Sequence, residues 1–211
     1  MHEAEAAVSI YPGERAVCGG VGCSIVGSAE RNFIGMVQSI TRVEARTFAW
    51  LTNTFDPDDE DISAVFRALG GDLSGLQSKR ESKLRPDAFL PDLNCILEFD
   101  EVQHFTRQRE IALSLYPAEL KLGFDRAYYM SLCQMHQDAA MRKGAAGFRR
   151  PTAEFPFLGG RHCQRALFDT LRDILPLRNG LSPTIRISEI DLVKLGDAKS
   201  ALAEVSRILR I

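Results

Sequence analysis

Apolar residues recur at helical spacing after a glycine-rich beginning of the chain. Phe33, Val37 and Ile40 follow one another at steps of four and three residues, which is the spacing of one face of an α-helix. The pattern predicts a helix over 29–51, with Glu44 on its apolar side. A carboxylate at such a position is either a satisfied core residue or a functional group that points into the protein.

Later segments alternate between helical and strand-like patterns. The sequence predicts helices at 62–71, 106–116, 125–144, 161–175 and 198–211, and the helix at 161–175 has Leu167, Phe168, Leu171 and Ile174 on one side. Two segments within 84–105 and one at 183–193 have strand-like patterns, and 147–160 has the pattern of mixed strand and loop. Because there is no regular βαβ rhythm, we expect an α+β or mixed α/β fold, a three-layer sandwich in which helices flank a mixed sheet.

The length of 211 residues fits one domain with extensions. We expect an N-terminal extension at 1–28, a core domain at 29–175, and a C-terminal strand and helix at 176–211 that pack on the core.

The segment 84–105, "LRPDAFLPDLNCILEFDEVQHF", predicts a β-hairpin. Its turn is centred on 91–94, where three of the four residues are turn formers. A four-residue loop pairs Leu90 with Cys95, and counting outward from that pair places Asp87 opposite Glu98. Side chains at opposite positions of a ladder have Cβ atoms about 5 Å apart.

The second strand of this hairpin carries its acidic residues on one face. Side chains alternate along a strand, so Glu98 and Asp100 point the same way. With Asp87 opposite, three carboxylates surround a volume the size of one hydrated ion. Carboxylates so close do not all ionise cheaply, and a divalent cation resolves the conflict. Oxygen-only ligands with a few waters suit Mg²⁺ or Mn²⁺.

A second explanation needs no metal. The same carboxylates can form salt bridges with cations nearby in the sequence, for which Lys83, Arg85 and Arg107 are the candidates. The residues alone leave both explanations open.

Composition limits the class of protein. Apolar residues make up 45% and charged residues 26% of the chain, and the formal net charge is −2, so nucleic-acid binding would need local cations or a metal. The apolar runs are far shorter than the ~20 residues of a membrane span. The N-terminus lacks the basic-then-apolar order of a signal peptide. We therefore expect a cytoplasmic protein with no membrane partner.

The five cysteines are odd in number and irregularly spaced, which argues against a disulfide framework. Cys18 and Cys23 in "CGGVGC" are either half of a zinc clip or part of a glycine-rich turn.

The residues "RPDAFL" (85–90) and "CILEFDEVQHF" (95–105) resemble the PD-(D/E)XK nuclease superfamily, which has a restriction-endonuclease-like fold. The Glu-x-Asp followed by Gln-His is similar to the very-short-patch-repair-like branch. The resemblance covers about 29–150. It implies that Asp87 and Glu98 bind metal, with Asp100 completing the metal's shell.

The sequence departs from the superfamily at one position. Asp100 stands where the superfamily usually has Lys, and a carboxylate cannot stabilise negative charge as Lys does. Gln103 and His104 match the polar pair that supports catalysis, and either would orient or deprotonate water. His104 alone is also compatible with a hydrogen-bonded histidine at a strand end.

Two flanking segments fit the resemblance as well. The first helix of the fold often contributes a Glu, for which Glu44 is the candidate. The segment 136–150 resembles the helix and strand that close the core. Its candidate site residues are His136, Asp138, Arg142 and Lys143. Lys143 would supply the positive charge of the superfamily lysine that Asp100 replaces.

Several cations flank the hairpin, where they would grip phosphates beside the metal. They are Lys79, Arg80, Lys83, Arg85, Arg107, Arg109, Arg149 and Arg150.

These observations predict a Mg²⁺-dependent endonuclease that hydrolyses phosphodiester bonds, and the resemblance implies DNA rather than RNA as the substrate. The alternative is a nuclease-fold module for nucleic-acid binding or assembly that has lost catalysis. A metalloenzyme acting on a small molecule is a third hypothesis. A homodimer would suit double-strand cleavage.

Overall fold

The computed structural model describes residues 28–143 and 150–211. The predicted extension with Cys18 and Cys23 lies outside the described residues, as do Arg149 and the side chain of Lys143.

Eight helices and three strands make up the described part of the chain. The helices are α1 (Ser28–Gln38), α2 (Glu60–Ala68), α3 (Leu73–Ser78), α4 (Arg107–Ser114), α5 (Arg126–Lys143), α6 (Gly160–Arg178), α7 (Glu189–Lys194) and α8 (Ala198–Leu209). The strands are β1 (Ala88–Leu90), β2 (Cys95–Asp100) and β3 (Ile185–Ser188), and a 3-10 turn covers Val102–His104. None of the described helices combines the length and the apolar character that crossing a membrane requires.

The three strands form one mixed sheet in the order β1-β2-β3. β1 and β2 are antiparallel with Leu90 opposite Cys95, so the predicted hairpin register is confirmed. β3 runs parallel to β2 and places Arg186 beside Glu98. A mixed sheet flanked by helices confirms the expected mixture of α and β structure.

Helices cover both faces of the sheet, so β2 is buried along its whole length. On one face, Ile96 belongs to a core that α2, α4, α5 and α6 complete. On the other face, Leu97 and Phe99 pack against α1 and α8. The rings of Phe33 in α1 and Phe99 stack with centroids 4.6 Å apart.

The prediction of one helix over 29–51 was wrong in its second half. α1 ends at Gln38, and Glu44 then forms an isolated antiparallel bridge with Phe89 of β1. The backbone N–H of each residue donates to the carbonyl of the other at 2.9 Å. Extended pairing with β1 thus replaces the helical hydrogen bonds that the apolar periodicity favoured.

Two strand predictions near the C-terminus need correction. Residues 150–159 contain no strand, and the strand that joins the sheet is β3. β3 is shorter than the predicted 183–193, because the Ser188 side chain accepts a hydrogen bond from the N–H of Ile190 at 3.1 Å and begins α7. The domain boundary expected between 175 and 176 falls inside α6.

Candidate functional site

A cavity of about 270 Å³ opens where β2 ends and β1 begins. One wall is acidic, because α1 and the hairpin supply four carboxyl side chains: Glu30, Asp87, Glu98 and Glu101. Gln103 and His104 reach the same cavity from the 3-10 turn that follows β2.

Backbone groups fix the two central carboxylates of this wall. The N–H of Phe99 donates to Asp87 Oδ2 at 2.7 Å, and the N–H of Asp87 donates to Glu98 Oε1 at 3.4 Å. The predicted pairing of Asp87 with Glu98 is therefore present as side-chain-to-backbone contacts across the hairpin.

Burial raises the pKa of both central carboxyls. Glu98 is only 3% exposed, and burial raises its pKa well above the usual value although Arg172 partly offsets the effect. Burial also raises the pKa of Asp87, against the hydrogen bond from Phe99. Burial therefore disfavours the ionised form of both carboxyl groups.

The carboxylate that the first helix brings to the cavity is Glu30, which replaces the predicted Glu44. Burial and repulsion by Asp87 and Glu101 raise the pKa of Glu30. Glu44 is not among the residues that line the cavity, and its side chain pairs with Arg42 at 2.5 Å. Glu44 was predicted because it continues the helical spacing of apolar residues in the sequence, but α1 ends at Gln38, before Glu44.

Asp100 has a different environment from the one predicted. Its Oδ1 lies 2.7 Å from Arg186 Nη1 and 3.3 Å from His104 Nδ1, and it is not among the cavity-lining residues. A guanidinium group thus neutralises Asp100. The cations that meet the acidic strand are Arg172 and Arg186 rather than the expected Lys83, Arg85 or Arg107.

Arg186 belongs to a buried network of charges behind the cavity. Its Nε lies 2.7 Å from Asp173 Oδ1, while Arg109 Nη2 lies 2.6 Å from Asp173 Oδ2. Tyr116 donates to the same Oδ2 at 2.8 Å. Arg109 is only 2% exposed, so the prediction that it contacts nucleic acid was wrong: its guanidinium is used inside the core.

His104 is held between two carboxylates. Its Nδ1 lies 3.1 Å from Asp169 Oδ2 as well as 3.3 Å from Asp100 Oδ1. Burial alone would raise the pKa of Asp169, but the charges of His104 and Arg186 hold it well below its usual value. Asp169 comes from α6 and lies 65 residues from His104 in the sequence.

Within 28–143 and 150–211, the acidic, His and Cys groups whose ligand atoms lie within 4.8 Å of one another are Asp100, His104 and Asp169. This trio differs from the predicted set of Asp87, Glu98 and Asp100. Because Arg186 already contacts Asp100 at 2.7 Å, a divalent cation among these three would meet a fixed positive charge.

The wall opposite the carboxylates is one face of α6. It presents a row of side chains to the cavity: Arg161, Arg165, Phe168, Asp169 and Arg172. Arg172 Nε lies 3.3 Å from Glu98 Oε1, so it joins the two walls. These arginines are not among the cations predicted from the sequence, although their spacing along the predicted helix was a usable signal.

The cations predicted to contact nucleic acid do not line the cavity. Lys79 pairs with Glu154, and its Nζ lies 4.8 Å above the ring of Phe168. The others described are exposed: Arg80, Lys83, Arg85, Arg107 and Arg150. The candidates His136, Asp138 and Arg142 lie on α5, outside the cavity.

Comparisons of the chain with protein-family models, with curated proteins and with solved structures found no match. A function for this protein is therefore inferred from the geometry and chemistry of the cavity.

Proposed function

We propose that the protein is a metal-dependent nuclease that hydrolyses phosphodiester bonds, with DNA as its substrate. The observation that carries this proposal is the cavity in which carboxylates of α1 and the hairpin face arginines of α6. Carboxylates suit a divalent cation, and guanidinium groups suit phosphate oxygens.

The order of elements supports a restriction-endonuclease-like core. The resemblance implies a first helix that brings a Glu to the site, then the hairpin with its Asp and Glu, then a helix and a strand that close the core. In this chain Glu30 of α1, the β1–β2 hairpin, and α6 with β3 would take these places. The closing pair is thus proposed at 160–188 instead of 136–150.

The balance of charge in the cavity supports a metal. Five carboxyl groups and three guanidinium groups line it, so the carboxyl groups outnumber the guanidinium groups by two. A divalent cation would compensate for this difference where the carboxyl groups are ionised. Asp87 and Glu98 would hold Mg²⁺ or Mn²⁺, with Glu30 beside them. When bound, such a metal supplies positive charge to the phosphodiester and acidifies a water.

His104 is the group best placed to take a proton from water. Its Nδ1 faces Asp169 and Asp100, so Nδ1 would donate its proton to these carboxylates and Nε2 would be the nitrogen that accepts a proton from water. Asp169 and Asp100 hold the ring in that orientation. Gln103 lines the same cavity and donates to Glu101, which fixes its amide near the acidic wall.

One observation favours the alternative of a nucleic-acid-binding module without catalysis. Arg172 lies 3.3 Å from Glu98, so part of the positive charge that a metal would bring is supplied by the protein. The nuclease remains our first proposal because the cavity brings Glu30, Asp87 and Glu98 together.

Calorimetric titration with Mn²⁺ and Mg²⁺ tests the proposal. The wild type should bind the metal, Asp87→Asn should lose most of this binding, and Asp92→Asn should retain it. Asp92 is the matched control because it lies exposed in the turn of the same hairpin. No binding by the wild type at millimolar metal would contradict the proposed function.

Where metal binds, cleavage is assayed with plasmid DNA, single-stranded DNA and RNA. Glu98→Gln should abolish the activity of the wild type, and Asp92→Asn should leave it unchanged. A protein that binds metal but cleaves none of these substrates would support the inactive module.

A further inference from the structure

We infer that the cavity-facing side of α6 binds the phosphodiester backbone of a nucleic-acid strand through Arg161, Arg165 and Arg172. This inference rests on the proposed function and adds to it a surface that orients the strand relative to the carboxylates. None of these three arginines was among the cations that the sequence suggested.

The spacing along α6 makes the row continuous. Arg161, Arg165, Phe168 and Arg172 are separated by four, three and four residues, so they lie on one helical face. At 1.5 Å per residue the row is about 16 Å long. That length matches about five nucleotide steps of one strand of B-form DNA, at about 3.4 Å each.

The inner end of the row is already engaged with the acidic wall. Arg172 lies 3.3 Å from Glu98 Oε1 and 3.7 Å from Asp169 Oδ1, and it donates to the carbonyl of Arg85 at 3.1 Å. A phosphate beside Arg172 would therefore lie next to the carboxylates that we assign to metal binding.

The outer end of the row faces solvent. Arg161 is exposed, and its backbone N–H donates at 3.0 Å to the carbonyl of Arg150, which is also exposed. The backbone of Arg150 therefore lies beside the outer end of the row, where the guanidinium of Arg161 donates to Gln164 of the same helix. Between the ends lies Arg165, whose pKa is lowered by burial, with Asp169 opposing and Arg161 adding to this effect. An anion between Arg161 and Arg165 would relieve their repulsion.

A strand of nucleic acid fits this arrangement better than a single small anion does. The acidic wall repels an isolated anion, whereas a strand places successive phosphates along the arginine row and so gains several contacts at once. Guanidinium groups also match phosphate oxygens in a bidentate geometry that lysine does not reproduce.

The test is fluorescence anisotropy with a labelled 20-nucleotide DNA strand, its duplex and the matching RNA. EDTA is present so that binding is measured without cleavage. Arg161→Gln and Arg165→Gln should each weaken binding about tenfold. The slope of log affinity against log salt should fall by about 0.7 for single strands or 0.9 for duplex per arginine removed. Comparing the three probes identifies the preferred type of nucleic acid.

Two further variants separate a phosphate contact from a structural effect. Arg207→Gln removes an exposed arginine of α8 and should change neither affinity nor salt slope. Arg161→Lys keeps the charge and should retain the salt slope of the wild type.

The inference is overturned if Arg161→Gln and Arg165→Gln keep the affinity and salt slope of the wild type, or if the wild type binds none of the three probes. Because these measurements need no catalysis, they give an answer even where the cleavage assays fail. Binding that depends on both arginines in a protein without nuclease activity would support this inference and contradict the proposed function.

Discussion

Arg186 Nη1 lies 2.7 Å from Asp100 Oδ1, and the two side chains are 0% and 2% exposed. Arg186 belongs to β3 and Asp100 to β2, so the pair joins two parallel strands whose residues are 86 positions apart. This contact explains why β2 can be buried although it ends in Asp100: the guanidinium group of Arg186 neutralises this carboxylate. Asp87 and Glu98 still face the cavity.

Removing Arg186 should strongly destabilise the protein. Its loss in Arg186→Met leaves Asp100 buried without its guanidinium partner and leaves Asp173 with Arg109, and breaking a buried pair in this way costs about 3–5 kcal/mol. Urea unfolding measures the change, with Arg207→Gln as an exposed control. Adding Asp100→Asn to Arg186→Met should recover part of the lost stability; a double variant less stable than Arg186→Met would refute this explanation.

Replacing Glu98 should stabilise the metal-free protein at high pH. Burial raises the pKa of this carboxyl in the folded state, so the folded chain binds its proton more tightly than the unfolded chain does. Ionised Glu98 therefore opposes folding once the pH exceeds its unfolded pKa, near 4.5. Glu98→Gln should raise the free energy of unfolding by about 1–2 kcal/mol near pH 8.

The same gain should vanish near pH 3.5, where the carboxyl is protonated in both states. Chemical unfolding at the two pH values checks the sign. An equal gain at both values would show that the proton on Glu98 is not the cause.

A divalent cation should stabilise the wild type by balancing the carboxylates. At ten times its dissociation constant, Mn²⁺ adds about 1.4 kcal/mol, or about 3–6 °C in Tm for a chain of this size. Glu98→Gln should lose most of this shift in a thermal scan, and Glu204→Gln on α8, whose side chain is 30% exposed, should keep it. Identical shifts in all three proteins would place the metal elsewhere.

Asp169 should act as a positioning residue for His104. Asp169→Asn removes the charge that holds the proton on Nδ1, so we expect about a hundredfold slower cleavage. Nitrogen chemical shifts of the imidazole should report a mixture of tautomers in place of one. A variant that cleaves slowly but keeps the single tautomer would assign a different role to Asp169.

Two helical glycines should respond in opposite directions to alanine. A Cβ on Gly75 would lie 1.9 Å from the carbonyl oxygen of Ala153, whereas a Cβ on Gly35 would have nothing within 4 Å. Gly75→Ala should therefore destabilise the protein by about 1–3 kcal/mol through overpacking. Gly35→Ala should stabilise it by about 0.5–1 kcal/mol, because alanine loses less backbone entropy in a helix. Urea unfolding of both variants provides the comparison.

Local patterns determined the hairpin. A four-residue turn and strict alternation of side chains set the register of Leu90 with Cys95, and with it the approach of Asp87 to Glu98. The register and this approach depend on residues close in the sequence, and a short turn leaves the backbone few other conformations. The positions of α4, α5, α6 and α8 were also predicted, and α6 and α8 have a clear apolar face at helical spacing.

Only the tertiary structure decided which charges meet. Arg186 and Asp169 reach Asp100 and His104 from distant elements, and a sequence read locally offers nearer cations instead. The tertiary structure also ended α1 early, because pairing with β1 satisfied the backbone of Glu44 and left Glu30 at the cavity. Long-range partners depend on how helices and strands pack, so the sequence determined where the carboxylates stand on the hairpin, and the fold determined what faces them.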